Sequence, residues 1–265
     1  MLAETTFFTE NDGEPVAIEN PRGRGEVLLV CEHASRRLPK RYGTLGLSED
    51  ALSSHIAWDP GALAVARLMS QKLDATLIYQ RFSRLVYDCN RPPESPAAIR
   101  DVSEVFRIPG NENLSEAEKS LRTTSLYLPF QGAIRDEIVA RRARGLQTVL
   151  VTVHSFTRVY FGQERAVEIG ILHDTDSRLA DRMLQATAGT HPYRLERNEP
   201  YGPADGVTHT LELHALPAGL LNVMIEVRND LIADEAGQGL AADFLSGLLR
   251  ESIDALKANN KNSGA

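Results

Sequence analysis

The run Val27-Leu28-Leu29-Val30-Cys31, followed at once by Glu32-His33-Ala34-Ser35, decides the fold. Five consecutive apolar residues, bounded by Gly25 and by polar residues after them, suit a strand buried on both faces. Such burial requires helices on either side of the sheet. Residues 61–73 supply one, with Leu63, Val65, Ala66, Met69 and Leu73 at helical spacing behind Pro60, a good first-turn residue. Apolar or alternating runs predict further strands at 75–79, 85–87, 148–153, 166–172, 208–213 and 221–227. Helices are expected at 176–188 and 239–256, and over 115–144 with a bend near Pro129 and a capping box at Ser115-Glu116-Ala117-Glu118. Strands interleaved with helices mean an α/β fold, here a single domain with a mixed, mostly parallel sheet flanked by helices. Residues 1–24 read as an irregular lead-in, 25–257 as the domain, and 258–265 as a flexible tail.

Composition bounds the function. The chain has 265 residues, 42% hydrophobic and 25% charged, enough to bury a core without disulfide or metal. Its 29 basic and 36 acidic residues leave a formal charge of -7, which argues against a general nucleic-acid binder. No stretch approaches the run of about 18 apolar residues that spans a bilayer, so no membrane partner is expected. The start, with its acidic residues, lacks the order of a signal peptide. Cys31 and Cys89 read as reduced thiols of a cytoplasmic protein. The oligomeric state is not legible.

Open α/β sheets place their sites beyond the carboxyl ends of the strands. There the residues are chemically unusual: Glu32-His33, His154-Ser155, Asp88-Cys89-Asn90-Arg91, and Glu226-Val227-Arg228-Asn229-Asp230. His33 and His154 are either hydrogen-bonded histidines or two ligands of a catalytic zinc, which takes three protein ligands and a water. A carboxylate would complete the set. Asp59 is one candidate, its other reading being a helix N-cap. Glu32 is the rival, but it adjoins His33, and consecutive strand residues face opposite ways, which suits it better to orienting a ligand. Glu226, inside an apolar strand, is either ion-paired with Arg228 or a general base. Arg81, Arg84 and Arg91, with Asn90, are surface residues or a clamp for an anionic substrate. His55, His173, His191, His209 and His214 are read as structural.

At these residues the sequence resembles the N-formylglutamate amidohydrolase family. The matching pieces are Val30-Cys31-Glu32-His33-Ala34-Ser35, Trp58-Asp59-Pro60-Gly61-Ala62, Ser83-Arg84-Leu85-Val86-Tyr87-Asp88-Cys89-Asn90-Arg91-Pro92, Val153-His154-Ser155 and Ile225-Glu226-Val227-Arg228-Asn229-Asp230. The family is distantly similar to zinc carboxypeptidases and aspartoacylases, so the resemblance implies a phosphorylase/hydrolase-like, zinc exopeptidase-like fold. It implies one zinc per chain on His33, Asp59 and His154, with Glu226 as the base. It implies Arg84 as the carbonyl-polarising group, Asn90 and Arg91 as a carboxylate clamp, and Arg228 as an aid to substrate binding or to Glu226. Where the carboxypeptidase pattern His-x-x-Glu would continue, this chain has Arg36, so the carboxylate ligand must be Asp59 or Glu32. The expected reaction is attack of activated water on the amide of an N-acyl amino acid, acidic or otherwise, or of a short peptide. A metal-free phosphorylase-like enzyme and a non-catalytic carboxylate-binding protein are the alternatives.

Overall fold

In the computed structural model, which describes residues 7–189 and 191–262, Val27–Cys31 is a fully buried strand near the middle of a seven-stranded sheet. The sheet strands are β1 (Val16–Glu19), β2 (Val27–Cys31), β3 (Thr76–Gln80), β6 (Val149–Phe156), β9 (Ile169–Leu172), β10 (Leu195–Arg197) and β11 (Leu221–Arg228). Two small hairpins lie outside it, β4 (Val102–Ser103) with β5 (Phe106–Arg107), and β7 (Val159–Tyr160) with β8 (Gln163–Glu164), as does the short helix α1 (Glu49–Ser53). The order is β1-β3-β2-β6-β11-β9-β10. The four strands β3, β2, β6 and β11 run parallel, while β1 is antiparallel to β3 and β9 to β11.

Alternation along each strand sends side chains to two cores. Leu29, Val151, Val153, Val223 and Ile225 pack on the side covered by α2 (Ala62–Leu73), α5 (Arg178–Ala186) and α6 (Glu235–Asn262). Leu28, Val30, Leu150 and Met224 pack on the other, against Phe130 and Ile134 of α4 (Leu128–Ala143) and against long loops. The helix α2 starts where only glycine fits. Gly61 has φ +81°, and a Cβ there would lie 2.5 Å from the Ile232 carbonyl oxygen.

Several expectations are corrected. Residues 85–87 form a turn, not a strand: Val86 N–H bonds to Ser83 O at 3.0 Å and Leu85 N–H to Ser83 Oγ at 3.1 Å. Their apolar side chains are still buried, which is what the pattern recorded. In place of a strand at 208–213 the chain is helical over 209–215, widening over Leu211–Ala215, which buries Leu211 and Ala215 and leaves Leu213 exposed. The lead-in is not wholly irregular, because β1 pairs with β3 at the sheet edge; residues 1–6 lie outside the described residues. The closing helix runs from Glu235 to Asn262, into the expected tail, of which 263–265 lie outside the described residues.

The region 115–144 is helical, interrupted just ahead of Pro129. Proline lacks the N–H that would bond one turn back, and the chain widens over Thr123–Tyr127 between α3 (Glu116–Arg122) and α4. Ser115 Oγ accepts from Glu118 N–H at 3.2 Å, but the Glu118 carboxylate goes to Tyr42 Oη and Arg122 Nε instead of closing the capping box.

Candidate functional site

Each parallel strand facing the α4 side ends its inward row on a polar residue: Leu28 and Val30 lead to Glu32, Leu150 and Thr152 to His154, Met224 to Glu226. On β6 and β11, His154 and Glu226 are paired in register. On β2 the chain turns after Cys31, so that Glu32 and His33 both reach the site despite being consecutive. Asp59 arrives from the segment before α2, anchored by its N–H on His33 O at 2.9 Å. It does not cap the helix. Its Oδ2 instead lies 2.9 Å from His154 Nδ1, 3.3 Å from His33 Nδ1 and 3.3 Å from Ser155 N.

His33 Nδ1, Asp59 Oδ2 and His154 Nδ1 thus form a buried triangle with edges of 3.3, 2.9 and 3.2 Å, and this group could hold a metal. A tetrahedral ion with bonds of about 2.0–2.1 Å keeps its ligand atoms about 3.3 Å apart, so the triangle is the right size. The remaining ring nitrogens face carboxylates. His33 Nε2 is 2.7 Å from Asp88 Oδ1, and His154 Nε2 is 3.0 Å from Glu32 Oε2 in a poorly aligned contact. Carboxylates in that position fix the tautomer and aim of metal-binding imidazoles. Glu32, Asp59, Asp88 and Glu226 are all buried, and a divalent cation would offset their charge. The Oε2 of Glu226 and both carboxylate oxygens of Glu32 have no hydrogen-bond donor among the described residues. Two imidazoles and a carboxylate are a fitting donor set for catalytic zinc.

The electrostatics follow from burial and these contacts. Burial pushes the Asp59 carboxyl up, but the His33 and His154 imidazoles outweigh it and hold Asp59 well below the usual range. Asp88 is held low against burial by His33, Arg84 and Arg91. Burial disfavours the charged form of His154, yet Glu32 and Asp59 raise its pKa well above the usual value. Glu226 behaves differently. Burial dominates and lifts it to about 7, with His154 pulling it down and Asp59 pushing it further up.

This cluster forms one wall of a cavity of about 310 Å³. That is room for roughly ten waters at about 30 Å³ each, which suits a ligand of amino-acid size. Arg84 lines it, with one guanidinium nitrogen 3.4 Å from Asp59 Oδ1 and another 2.9 Å from Asp88 Oδ2. Arg91 and Arg100 line it as well, and among the described residues neither pairs with a carboxylate. The Arg100 Nε is buried with no hydrogen-bond partner among the described residues. Arg100 is held from behind: Arg122 donates to Asn111 Oδ1 at 2.7 Å, and Asn111 Nδ2 donates to Arg100 O at 2.7 Å.

The structure therefore brings together His33, Asp59, His154, Glu226, Arg84 and Arg91, and separates others. Asn90 reaches the cavity, but its side chain braces the neighbouring segment, with Nδ2 on Val207 O at 2.6 Å and Oδ1 taking Thr210 N–H at 3.1 Å. Arg228 does not line the cavity and is not paired with Glu226; it bonds Asp230 at 2.8 Å and faces Glu168 at 3.5 Å. Arg81 turns to Glu14 O. His209 and His214 bond Tyr127 and Gln131, at 2.8 and 2.7 Å, outside the cavity wall. Sequence reasoning gave no role to Asp88 or Arg100. The acidic residue two ahead of Asn90 was the available signal for Asp88; Arg100 lies in a loop with no periodicity to expose it.

A sequence model for a family described as N-formylglutamate amidohydrolase matches residues 25–233. A crystal structure of a gene product from Agrobacterium tumefaciens is similar at 61% identity, with a TM-score of 0.93 over 95% of this chain and 99% of that one. A crystal structure of an N-formylglutamate amidohydrolase from Ralstonia eutropha JMP134 aligns at 19% identity and a TM-score of 0.61, over 92% of this chain and 99% of that one, a likeness of fold. No curated protein matches the chain.

Proposed function

The chain belongs to the N-formylglutamate amidohydrolase family, hydrolases of amide C–N bonds, and on that premise we propose that it is a zinc enzyme removing the acyl group, formyl in the first instance, from an N-acyl acidic amino acid. Family membership sets aside the phosphorylase-like and non-catalytic readings. The observation that carries the proposal is the placement of Glu226: a carboxylate on the cavity wall whose Oε2 meets no hydrogen-bond donor among the described residues, one strand across from the His154 corner of the triangle.

Nδ1 of His33, Oδ2 of Asp59 and Nδ1 of His154 would hold the ion, with Asp88 and Glu32 orienting the two rings. When bound, zinc supplies Lewis acidity, drawing the pKa of a water towards about 7 and polarising the acyl carbonyl. Glu226 Oε2 takes the proton of the attacking water, a task suited to a carboxylate raised to about 7 by burial. The water oxygen bonds to the acyl carbon, the C–N bond breaks, and the proton held on Glu226 passes to the amine nitrogen. Arg84, fixed by Asp88, donates to the acyl oxygen as negative charge grows on it. Arg91 and Arg100 receive the carboxylates of the amino acid. Cys31 and Cys89 are buried free thiols, in keeping with a reducing cytoplasm.

The test is the metal content of protein purified without chelator or metal column, followed by turnover of N-formyl and N-acetyl amino acids, N-formylglutamate first. About one zinc per chain and release of formate are expected. Protein that takes up no metal when zinc is added would overturn the zinc assignment. Metal-loaded protein that hydrolyses none of these amides would overturn the substrate.

A further inference from the structure

Glycine 170 of β9 is paired with Glu226 of β11, and a Cβ at that position would lie 1.9 Å from the Glu199 carbonyl oxygen. The missing side chain lets the backbone at 199 cross the sheet beside Glu226, and two residues later Tyr201 enters the cavity wall. The Tyr201 phenol oxygen is 3.0 Å from a guanidinium nitrogen of Arg165. A guanidinium has donors and no acceptor, so the phenol oxygen accepts this bond and its own hydrogen remains uncommitted. No described residue accepts that hydrogen.

Arg165 is held in place. Its guanidinium carbon lies 4.4 Å from the Tyr160 ring centroid, 4.8 Å from that of Tyr201 and 5.7 Å from that of Phe156. It has no carboxylate partner among the described residues; its contacts are these rings, the phenol and a longer hydrogen bond to Thr157 O at 3.4 Å. Burial first, and the facing Glu226 second, raise the Tyr201 pKa, against the pull of Arg165 and Arg84, so the phenol is protonated at neutral pH. Two of the groups that act on it, Glu226 and Arg84, are those assigned above to the water and the acyl carbonyl.

We propose that Tyr201 is a further catalytic residue, whose phenol O–H donates a hydrogen bond to the acyl oxygen of the substrate, and that Arg165 is the positioning residue that turns this hydrogen into the cavity. The proposal rests on the amidohydrolase reading. A donor aimed at an oxygen that gains negative charge strengthens as the reaction proceeds, so it acts on kcat more than on KM. Arg165 acts only through the hydroxyl, so its effect vanishes once the hydroxyl is gone.

The experiment compares zinc-loaded wild type, Tyr201→Phe, Arg165→Gln and the double variant on N-formylglutamate, with metal content and Tm for each. Tyr201→Phe keeps the ring and should lose about 100-fold in kcat, with KM within about 3-fold and metal and Tm close to wild type. Arg165→Gln should lose less, and the double variant should be no slower than Tyr201→Phe. A Tyr201→Phe enzyme within about 3-fold of wild-type kcat overturns the role of Tyr201 while leaving the amidohydrolase reading intact. Losses that multiply in the double variant overturn the role of Arg165. Zinc-loaded wild type that turns over no N-acyl amino acid overturns the reading and the proposal together.

Discussion

The Nδ1 atoms of His33 and His154 lie 3.2 Å apart, with Asp59 Oδ2 completing the triangle, while each ring turns its Nε2 to a different buried carboxylate. Two imidazoles presented through the same kind of nitrogen, each braced from behind, are arranged for a shared third party.

Glu226→Gln preserves shape and removes the proton acceptor. It should bind zinc as wild type does and lose about 1000-fold or more in kcat. Stopped assays of formate release together with metal analysis check this; turnover near wild type would remove Glu226 from the role of base.

Asp59→Asn keeps the size of the third corner but not its charge. Zinc affinity should fall at least about 10-fold, and stabilisation of the fold by zinc should shrink accordingly. Wild type held at about 100 times its Kd should gain about 2.7 kcal/mol, read as a rise in Tm. An unchanged zinc-dependent Tm shift in Asp59→Asn would show that Asp59 is not a ligand.

Arg100→Met tests a cavity-wall guanidinium that has no carboxylate partner among the described residues. A hydrogen bond to a charged group is worth about 1.5–3 kcal/mol, so the preference for N-formylglutamate over N-formylglutamine should drop by about 10- to 100-fold. The ratio of kcat/KM values for the two substrates reads it directly. A ratio unchanged from wild type would mean that Arg100 does not meet the side-chain carboxylate.

His214 gives a pH dependence of stability. Burial, followed by the nearby charge of His209, lowers its pKa from 6.5 to about 4, and the neutral ring faces Gln131 Oε1 at 2.7 Å. The unfolded chain therefore takes up a proton between about pH 6.5 and 4 that the folded chain refuses, so this contribution is full above that window and is lost as pH falls through it. At about 1.4 kcal/mol per pKa unit the loss is about 3 kcal/mol by pH 4. Urea unfolding of wild type and His214→Gln from pH 7 to pH 4 should show the wild type losing more stability by that amount; parallel curves would contradict it.

The two sheet cores and the site differ in how far sequence alone revealed them. Apolar runs such as Val27–Cys31 and Leu221–Arg228 are legible because burial on both faces acts on consecutive residues. The same pattern misled at 85–87, where the side chains are buried, and at 208–213, where Leu211 is buried but Leu213 is exposed; in both the backbone hydrogen bonds close locally. Burial alone does not say which partner a backbone N–H has found.

From the sequence by itself came the α/β class, the strands whose ends carry His33, His154 and Glu226, and the resemblance that grouped them with Asp59, Arg84 and Arg91. Tertiary structure decided what those residues touch. It put Asp59 between two histidines rather than on a helix end, spent the Asn90 amide on Val207 and Thr210, drew Arg228 to Asp230, and set Asp88 and Glu32 behind the imidazoles. It also brought forward Arg100 and Tyr201, which no local pattern marks. The reason is physical. Periodicity and capping are set between near neighbours, whereas His33 and His154 are 121 residues apart, and their contact follows from strand order and register.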